Sequence, residues 1–128
     1  MTQYTIITSL NKQYLEDTAK VNLESWARNL PEDVEIIAYS EEDLRYKNNR
    51  IMFRDLYAEA PELVAFKEKF KDNPNYNGKL GTKLEGNAKA FKWKGIKFAH
   101  KTYAIFSGSK KQTQGWLIWL DADVLMHE

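Results

Sequence analysis

Two aspartates set one residue apart, Asp121 and Asp123, are the residues of this chain whose type and spacing could do chemistry. They close the run Gly115–Asp123, G-W-L-I-W-L-D-A-D, in which Trp116 to Leu120 is apolar without a break. A short apolar run after a glycine predicts a strand buried on both faces, as in parallel sheets. In extended chain residues i and i+2 point the same way, so an extended Leu120–Asp123 directs both carboxylates to one point past the strand. Converging carboxylates repel unless a cation or a proton separates them. Hard divalent ions such as Mg²⁺ or Mn²⁺ take oxygen ligands and often share them with substrate phosphates. Asp121 and Asp123 are therefore the candidate metal ligands. D-x-D also occurs in ordinary surface turns. Its weight here comes from its place at the carboxyl end of a strand, where open α/β sheets hold their ligands.

The elements that must position these carboxylates are legible in the pattern. Tyr4–Ser9 is β-branched and aromatic and predicts strand one, with a ligand loop at Ser9, Leu10 and Asn11. Lys12–Leu30 predicts a helix with Asn11 as N-cap and Pro31 as its stop. Its buried stripe is Leu15, Ala19, Leu23, Trp26, Ala27 and Leu30, which makes Trp26 a core residue rather than a ligand contact. Val34–Tyr39 predicts strand two, so the opening is a βαβ unit with parallel strands. The acidic trio Glu41, Glu42 and Asp43 could serve a ribose hydroxyl but reads better as a solvated helix start. Arg50–Leu56 predicts a short edge strand, and Glu62–Lys71 a helix after Pro61. Asp72–Gly86, dense in Asn, Gly and Pro, predicts a long loop. Ala88–Gly108 predicts a second long helix, interrupted at Gly95, with Phe91, Phe98, Ala99, Thr102, Ile105 and Phe106 as its apolar face. Lys94, Lys97 and Lys101 share one stripe of it. A lysine row is ordinarily solvated surface, but this helix leads into the acidic strand, so its basic edge could face metal-bound phosphates. His100, a lone histidine among lysines, reads as surface. Ser107–Gln114 predicts a polar linker.

Composition sets the bounds. A chain of 128 residues holds one core and is expected to be a single domain. Hydrophobic residues make up 43% and charged residues 29%, ordinary for a globular protein. A net charge of +1 gives no field to attract nucleic acid, and no nucleic-acid partner is expected. There is no cysteine, which excludes a disulfide scaffold, a thiolate nucleophile and cysteine-ligated zinc. The N-terminus lacks the basic and apolar regions of a signal peptide, and no run approaches the ~20 apolar residues of a membrane span. A cytoplasmic location without a transmembrane segment is the expectation.

With this layout the chain resembles the N-terminal, nucleotide-sugar-binding half of a GT-A glycosyltransferase, of the glycogenin-like or bacterial and phage sugar-transferase kind. The resemblance is carried by Y-T-I-I-T-S-L-N, V-E-I-I-A-Y-S-E, F-K-W-K-G-I-K-F-A-H-K-T-Y-A-I and W-L-I-W-L-D-A-D-V, and covers nearly the whole chain. It implies an α/β fold, a Rossmann-like, mostly parallel sheet flanked by helices. It also implies glycosyl transfer from a nucleotide-diphosphate sugar, a UDP-sugar first, to an unassigned acceptor. Asp121 and Asp123 would hold Mn²⁺ or Mg²⁺, with Asp121 also on the nucleotide side. Thr8, Ser9, Leu10 and Asn11 would line the nucleoside, and Lys97 or Lys101 the phosphates. The chain stops at Glu128, so the acceptor half and the carboxylate base of the family are not in it. It therefore reads as a truncated or minimal core, with the final strand at a bare sheet edge, Trp116 and Trp119 partly exposed, and self-association expected there. The competing reading is a non-catalytic GT-A-like module that associates through that edge. A flavodoxin-like receiver is weaker, because the sequence shows no Gly-rich phosphate loop.

Overall fold

A computed structural model of the chain describes residues 3–78, 94–111 and 114–127. Its centre is a four-stranded, all-parallel sheet in the order β3-β2-β1-β4. The strands are β1 (Tyr4–Leu10), β2 (Glu35–Ser40), β3 (Ile51–Asp55) and β4 (Trp116–Trp119). Between β1 and β2 the chain is helical throughout, as α1 (Lys12–Tyr14), a π-helical turn (Leu15–Ala19) and α2 (Lys20–Asn29). After β3 come α3 (Leu56–Glu59), α4 (Pro61–Phe70) and α5 (Gly95–Lys111). The fold is α/β and Rossmann-like, with helices on both faces of the sheet.

The alternation of β1 divides the core. Ile6 and Leu10 point to one face, where they pack with Leu15, Ala19, Leu23 and Trp26 of the first helical run and with Ile36 and Ala38. Ile7 points to the other, with Ile37, Tyr39, Leu56, Leu63, Ala99 and Ala104. Both faces of β1 and β2 are buried, so these strands read as near-continuous apolar runs. Gly108 belongs to this close packing: a Cβ there would lie 3.1 Å from Ile7 Cδ1, so its absence lets α5 settle on β1.

Local chemistry sets the boundaries. Asn11 Oδ1 accepts from Tyr14 N at 2.7 Å, the expected N-cap. Pro61 occupies the first turn of α4, as expected. The end of α2 has an agent that periodicity does not reveal. The Arg50 guanidinium donates to the carbonyls of Ala27, Leu30, Pro31 and Val34 at 2.9–3.2 Å, tying the helix end to the turn that follows it, where Val34 N also donates to Pro31 O. Gly115 has φ +84°, and a Cβ there would lie 2.2 Å from the Gln3 carbonyl oxygen, so only glycine enters β4 this way.

Several expectations need correction. Edge strand β4 is not buried on both faces. Leu117 and Trp119 pack toward α5, whereas Trp116 is 62% and Ile118 40% exposed. The acidic trio starts no helix; residues 41–47 are irregular. The apolar face of the last helix is rotated from its predicted phase. Ala99, His100, Ala104, Ser107 and Gly108 are buried, while Phe98, Thr102 and Phe106 are exposed. The helix also runs on to Lys111, into the predicted linker. The predicted residues 88–93, Phe91 among them, and most of the predicted loop 72–86 lie outside the described residues.

Candidate functional site

Strand order fixes where a ligand site can form. From β1 the chain steps to β2 and β3 on one side and returns to β4 on the other, so the order reverses between β1 and β4. Helices then leave the sheet in opposite senses at that point and open a crevice at the carboxyl ends. Here β1 outruns its neighbour. Ile7 pairs with Trp119, the last residue of β4, while Thr8, Ser9 and Leu10 have partners on β2 alone. Gln3 and Ile7 direct their carbonyls at β4, to the amides of Trp116 and Leu120. The same period of two points the main chain of Ser9 into the crevice.

The D-A-D segment reaches this crevice by a different geometry from the extended chain expected. Val124 N donates to Asp121 O at 3.1 Å and closes a turn. Ala122 faces inward and is buried, and Asp121 and Asp123 stand exposed on either side of it. The charges of both carboxylates reach the Tyr14 phenol, just past the end of β1.

Helix α2 holds this turn and its exit by side chains. Asn22 Nδ2 donates to Ala122 O at 2.8 Å, Trp26 Nε1 to Val124 O at 2.7 Å, and Asn29 Nδ2 to Met126 O at 3.1 Å. Met126 N donates to Ser25 Oγ at 3.0 Å. The spacing explains the match. Residues 22, 26 and 29 lie four and three apart, about 6 Å and 4.5 Å along the axis of one helix face, and on that face they meet the alternate carbonyls of 122, 124 and 126. Buried Asn22 and Ser25 are site-supporting residues that the apolar pattern could not show. Their only sequence signal is that polar side chains interrupt the inward face of an otherwise apolar helix.

Around Asp121 the structure gathers three more side chains. Trp119 Nε1 donates to Asp121 Oδ1 at 2.7 Å, Lys101 Nζ lies 3.4 Å from the same oxygen, and the Lys101 ammonium sits 5.1 Å from the centre of a Trp119 ring. Tyr14 completes the group: burial, then the charges of Asp123 and Asp121, push its phenol above the ordinary value. Sequence reasoning missed Tyr14, whose place one turn after the N-cap was the available sign.

The remaining predicted residues separate by direction. The Thr8 and Leu10 side chains are buried under α1 and α2, and Thr8 Oγ1 has no hydrogen-bond partner among the described residues. Ser9 is half-buried, and Asn11 spends its side-chain oxygen on the helix cap. Lys101 meets Asp121, whereas Lys97 is exposed and its carbonyl faces His100 Nδ1. The acidic trio is engaged internally. Glu42 Oε1 accepts from Lys12 N at 2.7 Å, Asp43 Oδ1 from Arg45 N at 3.0 Å, and Glu41 pairs with His100. His100 is therefore not the surface residue expected; it is buried and bonded on both ring nitrogens.

Among the described residues no three His, Cys, Asp or Glu side chains cluster as a metal site, and no helix is long and apolar enough to cross a membrane. Comparison with protein-family models, with curated proteins and with solved structures gives no match.

Proposed function

We propose that this chain is the donor-binding core of a metal-dependent glycosyltransferase that takes a nucleotide-diphosphate sugar, UDP-linked. The observation that supports this reading best is the position of the D-A-D turn, held by α2 at the crevice where strand order reverses, with Lys101 against Asp121. The donor set fits a hard cation with few protein ligands. Asp121 Oδ1 is engaged by Trp119 and Lys101, which leaves the second oxygen of Asp121 and the carboxylate of Asp123. Mg²⁺ commonly binds through one or two carboxylates and completes its shell with water and phosphate oxygens.

Asp121 and Asp123 would hold the ion, which would supply Lewis-acid stabilisation to a departing diphosphate. Lys101 adds a fixed positive charge on the same side, useful as charge builds on the leaving group. The main chain of Ser9 offers a donor and an acceptor to the nucleoside, and the Tyr14 phenol borders the diphosphate end.

Calorimetric titration with UDP, then GDP, in Mn²⁺ and in excess chelator tests this directly. Metal-dependent binding that Asp121→Ala/Asp123→Ala loses is the expected result. No binding of either nucleotide under any condition overturns it.

The bare edge of β4, with Trp116 and Ile118 exposed, favours a second reading. On this reading the chain is a non-catalytic module that associates through that edge. It expects a dimer by light scattering that Trp116→Lys dissociates, and no nucleotide binding.

A further inference from the structure

We propose that His100 is a proton-controlled latch on the crevice, tying α5 to the loop after β2 when protonated and letting that loop go, to bond with Lys67 instead, when neutral. Its effect on ligand affinity rests on the functional reading above; the latch itself does not.

The argument begins with what each neighbour can do in a hydrogen bond. His100 Nδ1 lies 3.0 Å from Lys97 O. A carbonyl only accepts, so Nδ1 carries a proton in either state. Nε2 faces three groups: Glu41 Oε1 at 2.9 Å, Tyr57 OH at 3.0 Å and Lys67 Nζ at 3.2 Å. An ionised carboxylate only accepts and an ammonium only donates. One ring nitrogen cannot serve both. With a proton on Nε2 it donates to Glu41, and Lys67 is left with the Tyr57 oxygen at 2.6 Å. Without that proton the lone pair accepts from Lys67, and Glu41 keeps only the Tyr57 hydroxyl at 3.2 Å. The bare lone pair then opposes the carboxylate across 2.9 Å.

Among the described residues these groups come from four places around the ring: Glu41 from the loop after β2, Tyr57 from α3, Lys67 from α4 and the Lys97 carbonyl from α5 itself. The side chains of His100 and Glu41 are only 11% and 23% exposed, so water screens their pairing weakly. Burial raises the Glu41 carboxyl, but hydrogen bonding and charge from His100, with help from Tyr57 and Lys67, hold it below its ordinary range.

The network reaches the candidate site from two sides. Glu41 N donates to Leu10 O at 3.2 Å, and Glu42 takes the Lys12 amide, so the loop after β2 is stitched to the end of β1 and the start of α1. On α5 the next residue after His100 is Lys101, against Asp121. Protonated His100 therefore ties α5 to the loop stitched to the end of β1 and adds positive charge one residue before Lys101. Both effects favour an anionic ligand, and both fade as the proton leaves.

The test follows the His100 ring resonances and the backbone amides of Lys12, Glu41 and Lys101 by NMR on the full chain, across about pH 5.5 to 8.5. UDP with Mg²⁺ is titrated over the same range into the wild type and His100→Gln. The amides should move with the ring, Glu41→Gln, which removes the carboxylate facing Nε2, should bring the ring's midpoint to lower pH, and wild-type affinity should fall about tenfold between pH 6 and pH 8. His100→Gln should lose that fall, while titration of the nucleotide's own phosphate is common to both proteins. A ring that titrates without moving those amides, a midpoint unmoved by Glu41→Gln, or equal pH profiles for the two proteins overturns the latch. If UDP binds at no pH, the functional reading fails, and the ring, amide and Glu41→Gln measurements still decide the latch. Should His100→Gln not fold, Glu41→Gln carries the comparison.

Discussion

Replacing Asn22 with alanine removes the donor that holds the Ala122 carbonyl between the two aspartates. The lost bond is buried and 2.8 Å long. A typical intramolecular hydrogen bond contributes about 1 kcal/mol net, and a buried carbonyl left without a partner costs about 1–3 kcal/mol more. Together these place the loss at about 2–4 kcal/mol. With a urea slope of about 2 kcal/mol per molar, the unfolding midpoint should fall by about 1–2 M. The slope itself should not change, because the surface exposed on unfolding is nearly the same. Ser25→Ala supplies a second reading of the same structure, since Ser25 Oγ donates to Asn22 O and accepts from Met126 N. A loss of under about 0.5 kcal/mol for Asn22→Ala, at unchanged slope, would show that Ala122 finds water as readily as Asn22. The reasoning that α2 fixes the turn would then be wrong.

Two further outcomes rest on separate parts of the fold. Arg50→Lys keeps the charge but cannot reach four carbonyls from one planar group, so thermal unfolding should show a loss of about 2 kcal/mol, and Arg50→Ala should lose as much or more. Burial and the charge of Glu59 push the Tyr39 phenol up to about 12, from 10.0. The folded state thus prefers the neutral phenol: the stability this contributes is complete below pH 10 and disappears as pH rises from 10 to about 12. Tyr39→Phe should remove that alkaline loss in denaturant melts. At neutral pH it should change stability by about 1 kcal/mol or less, because the hydroxyl has the Glu59 carboxylate near it but no hydrogen bond of full geometry among the described residues.

What the sequence disclosed follows from which forces are periodic. β1, the first helical run, β2, β3 and α4 were all legible, since each buries a face that repeats in chain order. The Asn11 cap and the Pro61 start were legible because they depend on neighbours three or fewer residues away. The phase of α5 was not. Its inward face uses Ala99, Ala104, Ser107 and Gly108, small residues that permit close approach, so the bulky Phe98 and Phe106 pointed to the wrong side. β4 was legible only in part: its five apolar residues suggested burial on both faces, which the edge position denies to Trp116 and Ile118, whereas the bare edge at Trp116 was expected. In the candidate site Asp121, Asp123 and Lys101 were legible from type and place. The clasp by Asn22, Trp26 and Asn29 and the pairing of Glu41 with His100 join residues 59 to 100 positions apart. No local pattern encodes such pairs.

The clasp by α2 has a kinetic consequence. Its four hydrogen bonds span 97 to 101 residues, nearly the length of the chain. Closing so large a loop carries an entropic cost that must be met before the contacts return anything, so they belong to the late part of folding. The D-A-D turn then acquires its geometry only when both ends of the described chain have come together. A ligand that requires that geometry recognises the whole folded molecule and no partly folded one. Its binding should raise the free energy of global unfolding by mass action, and should slow hydrogen exchange in β1 and α2 as much as at the turn it touches.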